Sequence, residues 1–258
     1  MKIKIIKLLV VMLCFILPLQ AQTYKELTSG ISQISMMKKY KDVSWRKITL
    51  NKMRNQCKNL SESDKSVIKK YVYGAVKGEN TYLLMNCYLR GNLQDYIPKK
   101  DITKPLKCRM KFYAESLETS VAKVKLPQNM LLYRGIDEKG MNAIFGGINN
   151  NMSNLIYKPV TEENAELLAK YLHNVKFLEK GFMSTSYDED CIKKTKFRFT
   201  IQAPKNLQAV LIEELGKPSE KEVIINCGYK WNVISVSMEY DKDTKQNYYK
   251  IVIRLLLS

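Results

Sequence analysis

Leu132-Tyr133-Arg134-Gly135, Gly181-Phe182-Met183-Ser184-Thr185-Ser186 and Glu220-Lys221-Glu222-Val223-Ile224-Ile225 follow one another along the chain, and their reading decides the fold. Each has the composition of a β-strand end or start. Together they supply an arginine, a hydroxyl cluster and two carboxylates spaced i, i+2. In extended backbone a period of two places Glu220 and Glu222 on one face, giving a pocket with two carboxylates.

Around these segments, the chain after Pro127 reads as short β-type runs: Met130 to Tyr133, Phe197 to Ile201, Gln208 to Ile212, Glu222 to Ile225, Trp231 to Met238 and Tyr248 to Leu257. The polar stretch Asp241 to Gln246 is expected to turn the last hairpin. One helix, Glu162 to Leu178, lies between the first two motifs, after a loop over Gly146 to Asn151. Before Pro127 the pattern is helical. Tyr24 to Gly91 carries apolar residues at spacings of three and four, with Ser61-Glu62-Ser63-Asp64 reading as a helix start. Asn80 to Leu89 reads as a second helix stopping near Gly91, and Lys111 to Val124 as a third with Phe112, Leu117 and Val121 on one side. Helices first and strands later make an α+β architecture.

The first residues read differently. Lys2, Lys4 and Lys7, an apolar run from Ile5 to Leu19, and Ala21 before Gln22 form a secretory leader, 1–21, with cleavage near Ala21. Cys14 follows Leu13 rather than a small residue, which argues against lipidation. Residues 22–258 are then expected as a single domain, 22–125 mainly helical and 126–258 mainly β. No later run is long enough to span a bilayer. Removing the three leader lysines from the net charge of +18 leaves +15, which favours anionic partners but specifies no chemistry.

The same composition excludes much. His173 is the single histidine, so a nucleophile–histidine pair has one candidate and a histidine-rich metal site none. No metal is expected. Cys57, Cys87, Cys108, Cys191 and Cys227 are odd in number and contain no CxxC, so they read as small core residues rather than a disulfide framework or zinc knuckle.

The three motifs fit cleavage of a glycosidic bond to a cationic base, as in NAD. The departing ring leaves neutral and needs no general acid, while a fixed carboxylate, Glu222, stabilises charge developing on the ribose. Arg134 offers forked donors to a diphosphate. Ser184 can hold the Glu222 rotamer, and Glu220 can orient an acceptor and take its proton. Taken singly, each has a plain structural reading: a solvated strand-end arginine, a Ser-Thr-Ser turn or cap, a surface Glu-Lys-Glu triplet. Tyr71 reads as a core ring or as a stacking surface for adenine.

In this order, with Ile68-Lys69-Lys70-Tyr71 and Asn86-Cys87-Tyr88-Leu89-Arg90-Gly91 upstream, the motifs resemble the ADP-ribosyltransferase exoenzymes. The resemblance covers most of the mature chain. It implies two packed mixed β-sheets with N-terminal and flanking helices around an NAD cleft. It also implies that Asn86 and Arg90 help hold the phosphates and adenosine side of NAD, Arg134 the phosphates, Gly135 the nicotinamide amide, Ser184 the catalytic carboxylate and Glu222 the ribose. Glutamate at position 220 resembles the arginine-modifying members, whereas the Rho-modifying clostridial exoenzymes carry glutamine there. The chain departs from the pattern in two places. Tyr187 to Lys196 lacks the phenylalanine and arginine that often cover nicotinamide, and Gly216 to Ser219 lacks an aromatic residue to grip a protein target.

The resulting expectation is a secreted, monomeric mono-ADP-ribosyltransferase that uses NAD as co-substrate and a protein arginine as acceptor. An NAD glycohydrolase and a non-enzymatic basic binding module on a degenerate fold are the alternatives. Nucleic acid is a less favoured acceptor suggested by basicity alone.

Overall fold

The computed structural model describes residues 43–256, apart from 77–78, 148–149, 214 and 217. The secretory leader expected over 1–21 lies outside the described residues.

Helices come first. α1 (Val43–Lys58) and α2 (Glu62–Tyr73) precede a two-stranded ribbon, β1 (Ala75–Val76) with β2 (Glu79–Asn80), and then α3 (Thr81–Arg90) and α4 (Lys104–Ala122). The start of α2 is the one expected: Ser61 Oγ accepts from the Asp64 N–H at 3.2 Å while Asp64 Oδ2 accepts from the Ser61 N–H at 3.1 Å, a reciprocal capping box. Gly91 ends α3 in the left-handed conformation, φ 77°, where a side chain is disfavoured.

α4 corrects one expectation. Leu117 and Val121 are buried with Met110 and Ala114, spaced by threes and fours, whereas Phe112 is 63% exposed. Five residues separate 112 from 117, a turn of roughly 500° at 3.6 residues per turn, which carries Phe112 away from the apolar stripe.

β3 (Met130–Ile136) follows, then three helices, α5 (Glu138–Phe145), α6 (Asn150–Ile156) and α7 (Glu162–Leu172). The loop expected over Gly146 to Asn151 gives way to α6 from Asn150. α7 stops at Leu172, not Leu178. His173 caps it and Asn174 takes φ 57°, so Lys176–Glu179 forms an unexpected strand, β4. β5 (Met183–Ser186), β6 (Phe197–Ala203), β7 (Ala209–Leu211), β8 (Glu222–Ile225), β9 (Tyr229–Asp241) and β10 (Gln246–Leu255) complete the chain.

The eight longer strands are ordered β4-β9-β10-β6-β3-β5-β8-β7. β3 is paired with β6 along its whole length, from Met130↔Ala203 to Ile136↔Phe197. Toward β5 it has a single pair, Tyr133↔Ser186. The two sheets expected from resemblance are therefore joined through one pairing, with β4-β9-β10-β6-β3 on one side and β5-β8-β7 on the other.

Each side has its own helices. Phe145 of α5 packs edge-on against Phe177 of β4 and near Phe199 of β6. The Lys196 ammonium donates to the Ile156 and Lys158 carbonyls at 2.6 Å, ending α6. On the other side, Cys57 of α1 reaches the Leu211 carbonyl and Asn226 beyond β8 donates to the Glu118 carbonyl of α4. Cys57 and Cys87 are buried as expected of core residues, but Cys108 is exposed. Among the described residues no helix is long and apolar enough to cross a membrane.

One buried charge ties α2 to α4. Asp64 accepts from Lys123 Nζ at 2.7 and 2.8 Å and from Ser120 Oγ at 2.9 Å. Burial pushes this carboxyl up, but Lys123 and the Ser61 and Ser120 hydroxyls outweigh it and hold the group at about 2 against an ordinary 3.8. The folded state therefore gives up this proton more readily than the unfolded chain. The ion contributes stability above about pH 4 that is lost progressively toward pH 2. Urea titrations across this range should show that loss, and Asp64→Asn should be less stable near neutrality with a flatter dependence on acid.

Candidate active site

The single β3–β5 pair leaves the two strands to diverge, and a cavity of about 340 Å³ opens where they part. Tyr82, Tyr133, Arg134, Gly135, Ser184, Thr185, Ser186, Glu220 and Glu222 line it, with Cys191 to Lys193 along one rim. All three sequence motifs meet here.

Ser184 Oγ donates a short hydrogen bond to Glu222 Oε1, one strand away across the β5–β8 ladder. The register places Ser184 opposite Ile224 and Ser186 opposite Glu222, so the contact is a diagonal one. It fixes the Glu222 rotamer by a charge-assisted bond. Thr185 points the other way, and its hydroxyl donates to the Val223 carbonyl at 2.6 Å.

Arg134 stands near the end of β3. Its Nη1 is buried and has no hydrogen-bond partner, one of three such side-chain atoms among the described residues, with Asn92 Oδ1 and Trp231 Nε1. A buried guanidinium nitrogen without an acceptor is costly unless a ligand supplies one. Gly135 follows, and a Cβ there would lie 2.0 Å from the Lys193 carbonyl oxygen. Only glycine lets the 193–195 segment pack this closely on the strand.

Glu220 and Glu222 share the cavity, but not by the expected route. Pro218–Glu220 is a 3-10 turn, Lys221 adopts φ 46°, and the strand begins only at Glu222. The left-handed residue between them, not a strand period, brings both carboxylates to one cavity. Glu222 is half-buried beside Ser184, while Glu220 is exposed at the mouth.

Asn86 and Arg90 do not line the cavity. Asn86 is 1% exposed; its Nδ2 donates to the Tyr71 hydroxyl at 3.0 Å and its Oδ1 accepts from the Phe182 N–H at 2.8 Å. Arg90 makes a forked pair with buried Glu179, Nε to Oε1 at 2.9 Å and Nη2 to Oε2 at 3.1 Å, and Glu179 Oε1 also accepts from the Gly181 N–H at 2.8 Å. A Cβ on Gly181 would meet Asn86 Oδ1 at 2.6 Å. Both side chains thus anchor α3 to the entry of β5, the strand that presents Ser184.

Tyr71 is a core ring, 1% exposed, edge-on to Phe182 and to Tyr82. Burial pushes its phenol well above the ordinary range. Tyr82, which the sequence reading did not single out, joins Tyr133 as an aromatic residue in the cavity lining; it is the second residue of α3, where periodicity alone suggested only a helix face. Lys193 was likewise missed, within the segment noted for lacking arginine. His173 is exposed at the end of α7 and takes no part in the lining. Among the described residues no cluster of His, Cys, Asp or Glu could hold a metal ion.

The sequence profile of a family described as ADP-ribosyltransferase exoenzyme matches residues 42–257. No curated protein matches the chain. Solved structures that resemble it include Plx2a, an ADP-ribosyltransferase toxin from Paenibacillus larvae, at 20% identity and TM-score 0.61, covering 82% of this chain and 94% of that one. C3stau2 from S. aureus, solved with NAD, is 17% identical at TM-score 0.61, covering 84% of this chain and 97% of that one. BECa, an ADP-ribosylating toxin from a C. perfringens binary enterotoxin solved with NADH, is 19% identical at TM-score 0.64, covering 83% of this chain but 48% of that one.

Replacing Glu179 by alanine should strand the Arg90 guanidinium and free the Gly181 N–H. The expected cost is about 3 kcal/mol or more, read from urea unfolding, because removing one partner of a buried pair leaves the other uncompensated.

Proposed function

The chain belongs to the ADP-ribosyltransferase exoenzyme family, and we propose that it transfers ADP-ribose from NAD to a protein arginine with release of nicotinamide. The observation that carries this reading is the Ser184–Glu222 hydrogen bond in the same cavity as the unpartnered Arg134 Nη1. A fixed anion and an unsatisfied forked cation, side by side, fit a sugar that becomes cationic next to a diphosphate.

In the proposed reaction the bond between ribose C1′ and the nicotinamide ring nitrogen breaks, and its electron pair leaves with the ring, which departs neutral. Glu222 stabilises the positive charge left on the ribose. Ser184 keeps that carboxylate in place, and Arg134 holds the diphosphate. A guanidine nitrogen of the acceptor then bonds to C1′, and its proton passes to Glu220 and on to solvent. Gly135 contributes backbone groups toward the nicotinamide amide, and Tyr82 a ring face toward the bound dinucleotide. Asn86 supports the site through Phe182; Arg90, a quarter exposed, is a second cation available to the phosphates if it keeps Glu179 as its partner.

The arginine acceptor rests on Glu220, a carboxylate at the mouth suited to a cationic side chain. Export rests on the basic and apolar leader ending near Ala21.

Glu222→Gln is expected to lower NAD turnover at least about a hundredfold while NAD affinity changes little, since the lost interaction is strongest in the transition state. Glu220→Gln should reduce transfer to a guanidine acceptor far more than hydrolysis of NAD, and Arg134→Lys should weaken NAD binding about tenfold. Nicotinamide release and adduct formation on agmatine, measured side by side with equilibrium NAD binding, decide these outcomes. Equal loss of both activities in both glutamate variants would remove the division of roles, and hydrolysis without adduct in the wild type would favour the glycohydrolase.

A further inference from the structure

Glu220 owes its position to contacts that reach beyond the three motifs. Lys221 is a residue with a Cβ held at φ 46°, a conformation that persists only where its surroundings fix it. Those surroundings are specific. Ser186 Oγ donates toward the Glu220 and Lys221 carbonyls at 3.2 Å each, and the Tyr187 N–H donates to the Lys221 carbonyl at 3.2 Å. The Lys221 ammonium forms a close ion pair with Asp188. Behind it, the Tyr187 hydroxyl donates to Glu213, which also pairs with Arg54 at 2.7 Å.

Asp188 and Lys221 lie just past the paired ends of β5 and β8, where Ser186 faces Glu222 and the Tyr187 N–H donates to the Lys221 carbonyl. Asp188 is the second residue of the 187–196 segment, whose Cys191, Ile192 and Lys193 line the cavity, and Lys221 lies in the turn that supplies Glu220 and Glu222 to the same lining. Lys221 itself is absent from the lining although both its neighbours are in it. Its ammonium pairs with Asp188, which is absent from the lining as well.

Resting on the transferase reading above, we propose that the Lys221–Asp188 ion pair is a latch beside the cavity that holds the 218–221 turn, positions Glu220 and sets the share of ADP-ribose delivered to a guanidine acceptor rather than to water. The two are positioning residues. Neither touches the ribose or the diphosphate in this scheme, so cutting the latch loosens the acceptor side and spares the Ser184–Glu222 and Arg134 side.

Asp188→Asn and Lys221→Met are each expected to raise the KM for agmatine and cut the transfer-to-hydrolysis ratio about tenfold, with NAD hydrolysis within about threefold of wild type. Lys221→Arg, which keeps the charge, should restore the ratio. Amide hydrogen exchange over residues 218–222 should quicken in Asp188→Asn. A ratio unchanged in both variants, or transfer and hydrolysis falling together, overturns the latch. A wild type inert toward NAD removes the transferase reading instead, and the exchange experiment then decides: unchanged protection at 218–222 overturns the latch, and faster exchange retains it as the clamp on this turn.

Discussion

One residue pair, Tyr133 with Ser186, joins the two halves of the strand system, and everything at the site follows from how little it joins. A full ladder between β3 and β5 would close the space that Arg134, Gly135, Ser184 and Glu222 share. No pairing at all would leave Arg134 on one body and Glu222 on another. A single pair fixes the distance between the two halves while letting the strands part beyond it, so a cavity forms between them. Sites on strand ends held this way are more exactly placed than sites on loops.

The supports around that seam are polar and buried. Glu179, 4% exposed, gathers Arg90 and the Gly181 N–H; Asn86, 1% exposed, gathers Tyr71 and the Phe182 N–H. These two contacts seat the segment just before β5, so the hydroxyl of Ser184 arrives within reach of Glu222. The cost of burying such groups is offset because each finds partners. Arg134 Nη1, Asn92 Oδ1 and Trp231 Nε1 are exceptions among the described residues, and of the three residues only Arg134 lines the cavity.

Much of this was legible in the sequence because it depends on local chemistry. The capping box at Ser61, the glycine stop at Gly91, the strand character of Glu222 to Ile225 and the order of the three motifs are written in neighbouring residues. What was not legible depends on distant ones. Phe112 was placed on the wrong face because a spacing of five looks apolar in a list but not on a helix. β4 was absorbed into α7 because Lys176-Phe177-Leu178-Glu179 has no strand signal of its own; it exists because Lys176 to Glu179 pair with Asn232 to Tyr229 of β9. The pair of glutamates was expected on one strand face, and instead a left-handed lysine, fixed by Asp188 thirty-three positions earlier, brings them together. Asn86 and Arg90 carried ligand roles by resemblance, while the partners that occupy them in the fold lie about ninety residues away, at Phe182 and Glu179.

The cysteines carry a mechanical consequence. Cys57 offers its thiol to the Leu211 carbonyl, Cys87, Cys108, Cys191 and Cys227 are free, and among the described residues no disulfide closes a loop. The described fold is therefore held by burial, hydrogen bonds and ion pairs. Pulling this region apart breaks only non-covalent contacts.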